Sequence, residues 1–326
     1  MDVFFEPDYG RLYEKQEDEP CEVFNFSCEY GSMRNVFIKR EIPIEVNGNK
    51  KHFDIITPYG YGGPIVLNAS NTEALLSAYY IAFSDYCKEF NIVSEFVRFH
   101  LFDNTEVRET YYGETVEISQ NVVRELKTPI DELWRCFDRK VRKNVNHAVN
   151  AGLEIKVDLV GEYLSDFLKI YYETMKRNNA SAYYYFDSSY FEAINTTLQG
   201  KYAYFHVMLG DKIISTELIL FGNKYAYSFL GGTLQEFFSY RPNDFLKFEI
   251  IKWCKEQGLE NFILGGGYHP NDGIYKYKKC FAKNCDIPFY VGKKIHNKEM
   301  YENLVDTRSQ EDEFDKDTSF FPAYRA

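Results

Sequence analysis

The chain has 326 residues, 45% apolar and 27% charged, a length and composition that suit two globular domains, each with its own core. A formal net charge of −11 argues against a general nucleic-acid binder and against DNA as a partner, but it leaves room for one local basic patch. Seven cysteines without a C-x-x-C pair and six histidines without H-x-x-x-H spacing predict no metal and a reducing, cytoplasmic setting. The start, MDVFFEPDYGRLYEK, lacks the layout of a signal peptide, and no apolar run reaches the about 18 residues that span a bilayer.

In chain order, residues 21–30, 35–44 and 52–64 read as three strands. Asn71 caps a helix over 72–90, with Leu75, Tyr79, Ala82, Phe83 and Tyr86 at helical spacing, and 93–102 alternates as a strand. Thr128-Pro129-Ile130-Asp131 reads as a capping-box start for one long helix that stops at Ala151-Gly152. A second amphipathic helix covers 162–177, and a third starts at Asp187-Ser188. Residues 201–209, 212–220 and 224–232 form an antiparallel meander. Asn243 or Asp244 then caps a helix that Gly258 ends, and 261–267 is a short apolar strand closing in three glycines. PNDG and a strand-like YKYK follow, and the acidic tail is expected to be flexible up to Lys316 and to dock through Phe320 and Phe321. Both halves thus read strand-strand-strand-helix-strand. We take this as a duplicated unit, with domains 1–150, including the basic helix 129–150, and 151–326, which holds the catalytic cleft.

Four constellations carry candidate chemistry. Arg135, Arg139, Lys140, Arg142 and Lys143 are basic residues on one helix of an acidic chain; the face suits phosphates, or it is simply solvated. Gly231-Gly232-Thr233 ends a strand, and Arg241 and Asn243 stand where a helix N-terminus offers an anion site. The loop has neither GxxxxGK[ST] nor G-x-G-x-x-G, so a nucleotide fingerprint is absent. Glu217 lies in the apolar strand KIISTELIL and must face water, find a partner or act as a general base with raised proton affinity. Tyr275 and Tyr277 would point one way along a strand and Lys276 and Lys278 the other; a lysine there either steadies an oxyanion or protects a sheet edge.

The runs STELIL, YSFLGGT, RPNDFLKFEIIKW, NFILGGGYHPNDGIYKYKKCFA and PFYVGKKIH resemble the Fem family, the aminoacyl-tRNA-dependent transferases of peptidoglycan bridges, and through it the GNAT superfamily. TPYGYGGP and RKVRKNVNHAVNAGLEIKV extend the resemblance into the first half. It implies an α+β fold of two tandem GNAT-like domains, each a mixed, mostly antiparallel sheet flanked by helices. The implied reaction is amide formation: an amine of a cell-wall or surface-glycan precursor attacks an activated acyl carbonyl. Lys278, in Tyr277-Lys278-Lys279-Cys280-Phe281, inherits the contact with that carbonyl, with Tyr277 beside it and Glu217 as base. Gly231, Gly232, Thr233, Arg241 and Asn243 would hold the donor; Arg139, Arg142, Lys143 and Tyr275 would hold substrate. The implied co-substrate is aminoacyl-tRNA or acyl-CoA, with no tightly bound cofactor, and contact with a lipid-linked substrate would be peripheral. The family's helical-hairpin arm and the R/Q-x-x-G-x-G/A loop of acetyl-CoA enzymes are both missing, so the donor stays open. The alternatives are an acetyl-CoA-dependent N-acetyltransferase of an amino sugar or small amine, and a non-catalytic binding module.

Overall fold

The computed structural model describes residues 1–44, 50–267, 269, 272–310, 314 and 318–326. Tyr268, Pro270 and Asn271 of the glycine-rich turn, and most of the acidic tail expected to be flexible, lie outside the described residues. In chain order the helices and strands are α1 (Pro7–Arg11), α2 (Glu14–Glu17), β1 (Cys21–Cys28), β2 (Gly31–Glu41), β3 (Phe53–Ile56), β4 (Ile65–Ala69), α3 (Thr72–Glu89), β5 (Ile92–Arg98), α4 (Thr105–Glu109) and β6 (Glu114–Glu125). They continue as α5 (Ile130–Cys136), α6 (Arg139–Asn150), β7 (Leu153–Asp158), α7 (Leu164–Arg177), α8 (Ser188–Thr197), β8 (Tyr202–Leu209), β9 (Lys212–Phe221) and β10 (Tyr225–Thr233). The last are α9 (Pro242–Glu256), β11 (Asn261–Gly265), α10 (Gly273–Lys279), β12 (Asp286–Ile295) and α11 (Lys298–Arg308).

Two compact units emerge: Phe4–Ile118 with Pro288–Ala326, and Met1–Val3 with Ser119–Ile287. These boundaries fall inside β6 and β12 rather than at residue 150. The basic helix α6 packs on α9 and β7, so it belongs with the later residues.

The first unit orders its strands β1-β2-β3-β5-β12, with β4 on β2. Asn71 caps α3 by accepting from the Ala74 amide, and Leu75, Leu76, Tyr79, Tyr80, Phe83 and Cys87 face the core. The second unit orders its strands β6-β11-β10-β9-β8-β7. The meander β8-β9-β10 is antiparallel, as its alternation predicts. In both units a helix leads from antiparallel strands into a parallel strand, β3 with β5 around α3 and β10 with β11 around α9, although the first unit places four strands, β1 to β4, before its helix. Three strands go unread in the sequence, β4, β6 and β12, while β7 follows Gly152 where the family resemblance places a strand.

The structure corrects several local expectations. The long helix divides into α5 and α6 because Phe137 turns extended and is buried, and because the Asp138 amide donates to the Cys280 carbonyl instead of continuing the helix. The cap of α5 is Pro129, with no side-chain cap from Thr128. Helix α9 starts at Pro242 behind Arg241, whose φ of 60° is left-handed; Asn243 does not cap it but accepts from Ser215 and Thr233 hydroxyls. The YKYK strand is the helix α10, because Asp272 caps it by accepting from the Tyr275 amide. Lys276 and Lys278 are therefore about 200° apart around a helix rather than on one strand face, and the edge-strand reading falls. In the tail, Phe321 stacks on Tyr301 as expected, but Phe320 is exposed.

Candidate active site

The site sits in the second unit, where two strands part. The β10–β11 ladder covers only Tyr225–Tyr227 against Asn261–Ile263, while β10 runs on to Thr233 past a bulge at Ser228–Leu230. A parallel strand that loses its neighbour exposes one backbone edge. Two cavities flank this free end.

The inner cavity, about 280 Å³, is walled by Glu217 and Thr216 of β9, Gly231–Thr233 of β10, Arg177 of α7, and Lys247 of α9. The outer cavity, about 450 Å³, is walled by Lys140 of α6, Arg241, Asp244 in the first turn of α9, and Lys276 and Cys280 at α10. Asn243 and Tyr277 line both.

Glu217 has found a partner. Lys247 Nζ donates to both its oxygens at 2.5 and 2.7 Å, and Ser228 Oγ donates to Oε1 at 2.7 Å. Glu217 is 8% exposed and Lys247 7%, so this is a buried ion pair, neutral as a whole. The sequence reading missed Lys247. A lysine inside an amphipathic helix reads as solvent-facing, and only its place beside Phe245, Leu246 and Ile250 hinted otherwise.

Lys278 Nζ donates to the Gly266 carbonyl at 2.6 Å. A Cβ on Gly265, whose φ is +83°, would stand 3.2 Å from that Nζ. A Cβ on Gly267 would clash with the Asp272 carboxylate at 2.4 Å. The triple glycine thus lets Lys278 and the α10 cap reach the backbone. Burial, and next the Lys247 charge, bring the Lys278 ammonium down from 10.5 to about 8, against the pull of Glu217 and Asp272. The neighbouring Tyr277 hydroxyl is buried without a hydrogen-bond partner among the described residues, and burial pushes its proton affinity well above the usual value. Asp244 is raised by burial, although the Asn144 amide donates to its Oδ2 at 3.0 Å.

The predicted residues divide into three groups. Glu217, Gly231, Gly232, Thr233, Asn243 and Tyr277 wall the inner cavity, and Arg241 joins Asn243 and Tyr277 in the outer one. Lys278 lies behind them, within electrostatic reach of Glu217 and Lys247. Arg139, Arg142 and Lys143 line a separate open groove with Asn146, His147 and Asn150, and the Tyr275 hydroxyl donates to Asp286 at 2.6 Å instead. Gly232 has a structural duty as well: a Cβ there would meet Thr174 Oγ1 at 2.3 Å and the Ile170 carbonyl at 2.8 Å, so it lets α7 close onto β10. Among the described residues, no cluster of His, Cys, Asp and Glu could hold a metal, and no helix is long and apolar enough to cross a membrane.

Residues 136–279 match a family model described as an acetyltransferase (GNAT) domain, and this segment contains both cavities almost whole. No curated protein sequence matches the chain. Among solved structures, FemX superposes with a TM-score of 0.70 at 15% identity, over 92% of this chain and 94% of that one. The C-terminal domain of a putative lysylphosphatidylglycerol synthetase from Agrobacterium fabrum gives 0.56 at 12%, over 91% and 90%. A tandem GNAT protein from the clavulanic acid biosynthesis pathway gives 0.50 at 9%, over 87% of each. Residues 136–279 thus resemble a GNAT acetyltransferase domain, and the chain shares its fold with FemX and a tandem GNAT protein.

Proposed function

We propose that the protein is an N-acyltransferase that moves an acyl or aminoacyl group from an activated donor to an amine, in the cytoplasm, and that the acceptor is a cell-wall or surface-glycan precursor. The observation that carries this reading is the pair of cavities sharing Asn243 and Tyr277 at the point where β10 leaves β11. In the outer cavity, Lys140, Arg241 and Lys276 and the first turn of α9 suit the phosphates of a donor, whether CoA or the end of a tRNA. The reacting carbonyl would lie at Tyr277. The amine attacks it, the oxyanion is stabilised by the Lys278 ammonium, and the leaving group departs as the tetrahedral carbon collapses. Glu217 is the base of this reading: Lys247 donates to both its oxygens, and Glu217 accepts the amine proton. Glu217 does not face bulk solvent, which is the arrangement a surviving catalytic site needs.

The donor is tested by calorimetry with acetyl-CoA and with aminoacyl-tRNA, followed by transfer assays on amine acceptors with wild type and Lys278→Ala. Transfer by wild type and its loss in a folded Lys278→Ala protein supports the reading. Saturable acetyl-CoA binding selects the N-acetyltransferase alternative, and binding of neither donor selects the non-catalytic module.

A further inference from the structure

The inner cavity holds an arginine that the acyl-transfer chemistry does not use. Arg177 ends α7. Its Nη1 donates to the Thr233 carbonyl at 2.9 Å and its Nη2 to Thr174 Oγ1 at 3.3 Å. Its guanidinium lies 5.0 Å from the centre of the Phe238 ring. A guanidinium has five N–H donors, and these two bonds use two of them. Among the described residues, no carboxylate lies within ion-pair distance of Arg177, in a chain with 49 acidic residues. The other ionic groups of the cavity cancel, since Glu217 is bound to Lys247. The cavity is therefore left with one net positive charge, on a side chain already fixed in orientation. A planar fork held still, with donors to spare, matches a carboxylate or a phosphate. The donor's phosphates have their own cations in the outer cavity. A second anion must come from the other substrate.

We propose that Arg177 binds an anionic group carried by the acceptor, so that this site acts on amines that also bear a carboxylate or a phosphate. The assignment to the acceptor rests on the acyl-transfer reading; the anion site does not. The test uses the full chain and two probe pairs, L-lysine against L-lysinamide and O-phosphoethanolamine against ethanolamine. Binding is followed by the ¹⁵N signal of the Arg177 side chain and by thermal shift. The anionic member of at least one pair should bind about tenfold tighter, as expected for one charge-assisted bond. The preferred pair tells carboxylate from phosphate. Arg177→Gln should erase the preference and Arg177→Lys should keep part of it, while the acyl donor binds all three proteins alike. Equal binding within both pairs, or a preference that survives in Arg177→Gln, overturns the proposal. An anion preference without acyl transfer to any amine keeps the anion site but overturns its assignment to an acceptor, and with it the transferase reading.

Discussion

Lys278 is a residue whose charge works against the fold. A drop from 10.5 to about 8 corresponds to roughly 3 kcal/mol against the charged form, at about 1.4 kcal/mol per unit. The folded value lies below the unfolded one, so between about 8 and 10.5 the unfolded chain holds the extra proton. The penalty is complete below about pH 8 and is relieved as pH rises towards 10.5. Lys278→Met should therefore melt at the same temperature as wild type or higher at pH 7, while transfer falls by at least about a hundredfold. A melting curve beside a transfer assay checks both halves; a clear fall in stability would show that the Gly266 bond outweighs the burial cost. Because the oxyanion needs the ammonium form, kcat/KM of wild type should decline above about pH 8. The Glu217–Lys247 pair behaves in the opposite sense. Removing only Lys247, as in Lys247→Met, leaves a buried carboxylate unpaired and should cost about 3–5 kcal/mol. The double variant Glu217→Leu/Lys247→Met should regain most of that in denaturant unfolding but not in turnover. If the double variant is no more stable than the single one, the pair is not the balanced unit described here.

At the level of elements, the site depends on α7 lying close to β10 at Gly232. Gly232→Ala should push Ile170 and Thr174 away, lower stability by about 1–3 kcal/mol, and weaken acceptor binding in the inner cavity with it. Unchanged melting would mean that α7 shifts at little cost. How far the sequence could be read follows from the same local physics. The meander β8-β9-β10 and helices α3 and α9 were legible because alternation and helical spacing persist over many residues, and because Asn71 and Gly258 punctuate them. Helix α10 was not. Seven residues give less than two full turns of pattern, and Tyr-Lys alternation suits a strand equally well until Asp272 is seen to cap it. The break between α5 and α6 was hidden because its cause, the Cys280 carbonyl, lies far along the chain. At the site, Glu217 was legible as a polar residue in an apolar strand. Its meaning was not, since Lys247 reaches it, and Arg177 comes to share its cavity, only through the packing of α9 and α7 against the sheet.

Over the whole molecule, the charge of −11 and the groove of Arg139, Arg142 and Lys143 pull in opposite directions. Long-range repulsion disfavours any polyanion, but salt screens distant charges before contacts, with a Debye length of about 8 Å at physiological ionic strength. The groove is polar throughout: Asn146, His147 and Asn150 continue the face, and Val141, Val145 and Ala148 turn inward on the opposite side. Such a face bonds phosphates and sugars. The donor question thus becomes a measurement of salt dependence. With aminoacyl-tRNA as donor, binding should weaken with salt at a log–log slope of about −2 to −3, as expected when three cations each displace a counterion. Arg139→Glu with Arg142→Glu should reduce both the affinity and the slope, while acetyl-CoA binding, drawn to Lys140, Arg241 and Lys276, stays as it was. Unaltered tRNA affinity in that variant would take the groove out of donor binding and leave it as a solvated helix face. A loss of acetyl-CoA binding in the same variant would show instead that the groove and the outer cavity serve one donor.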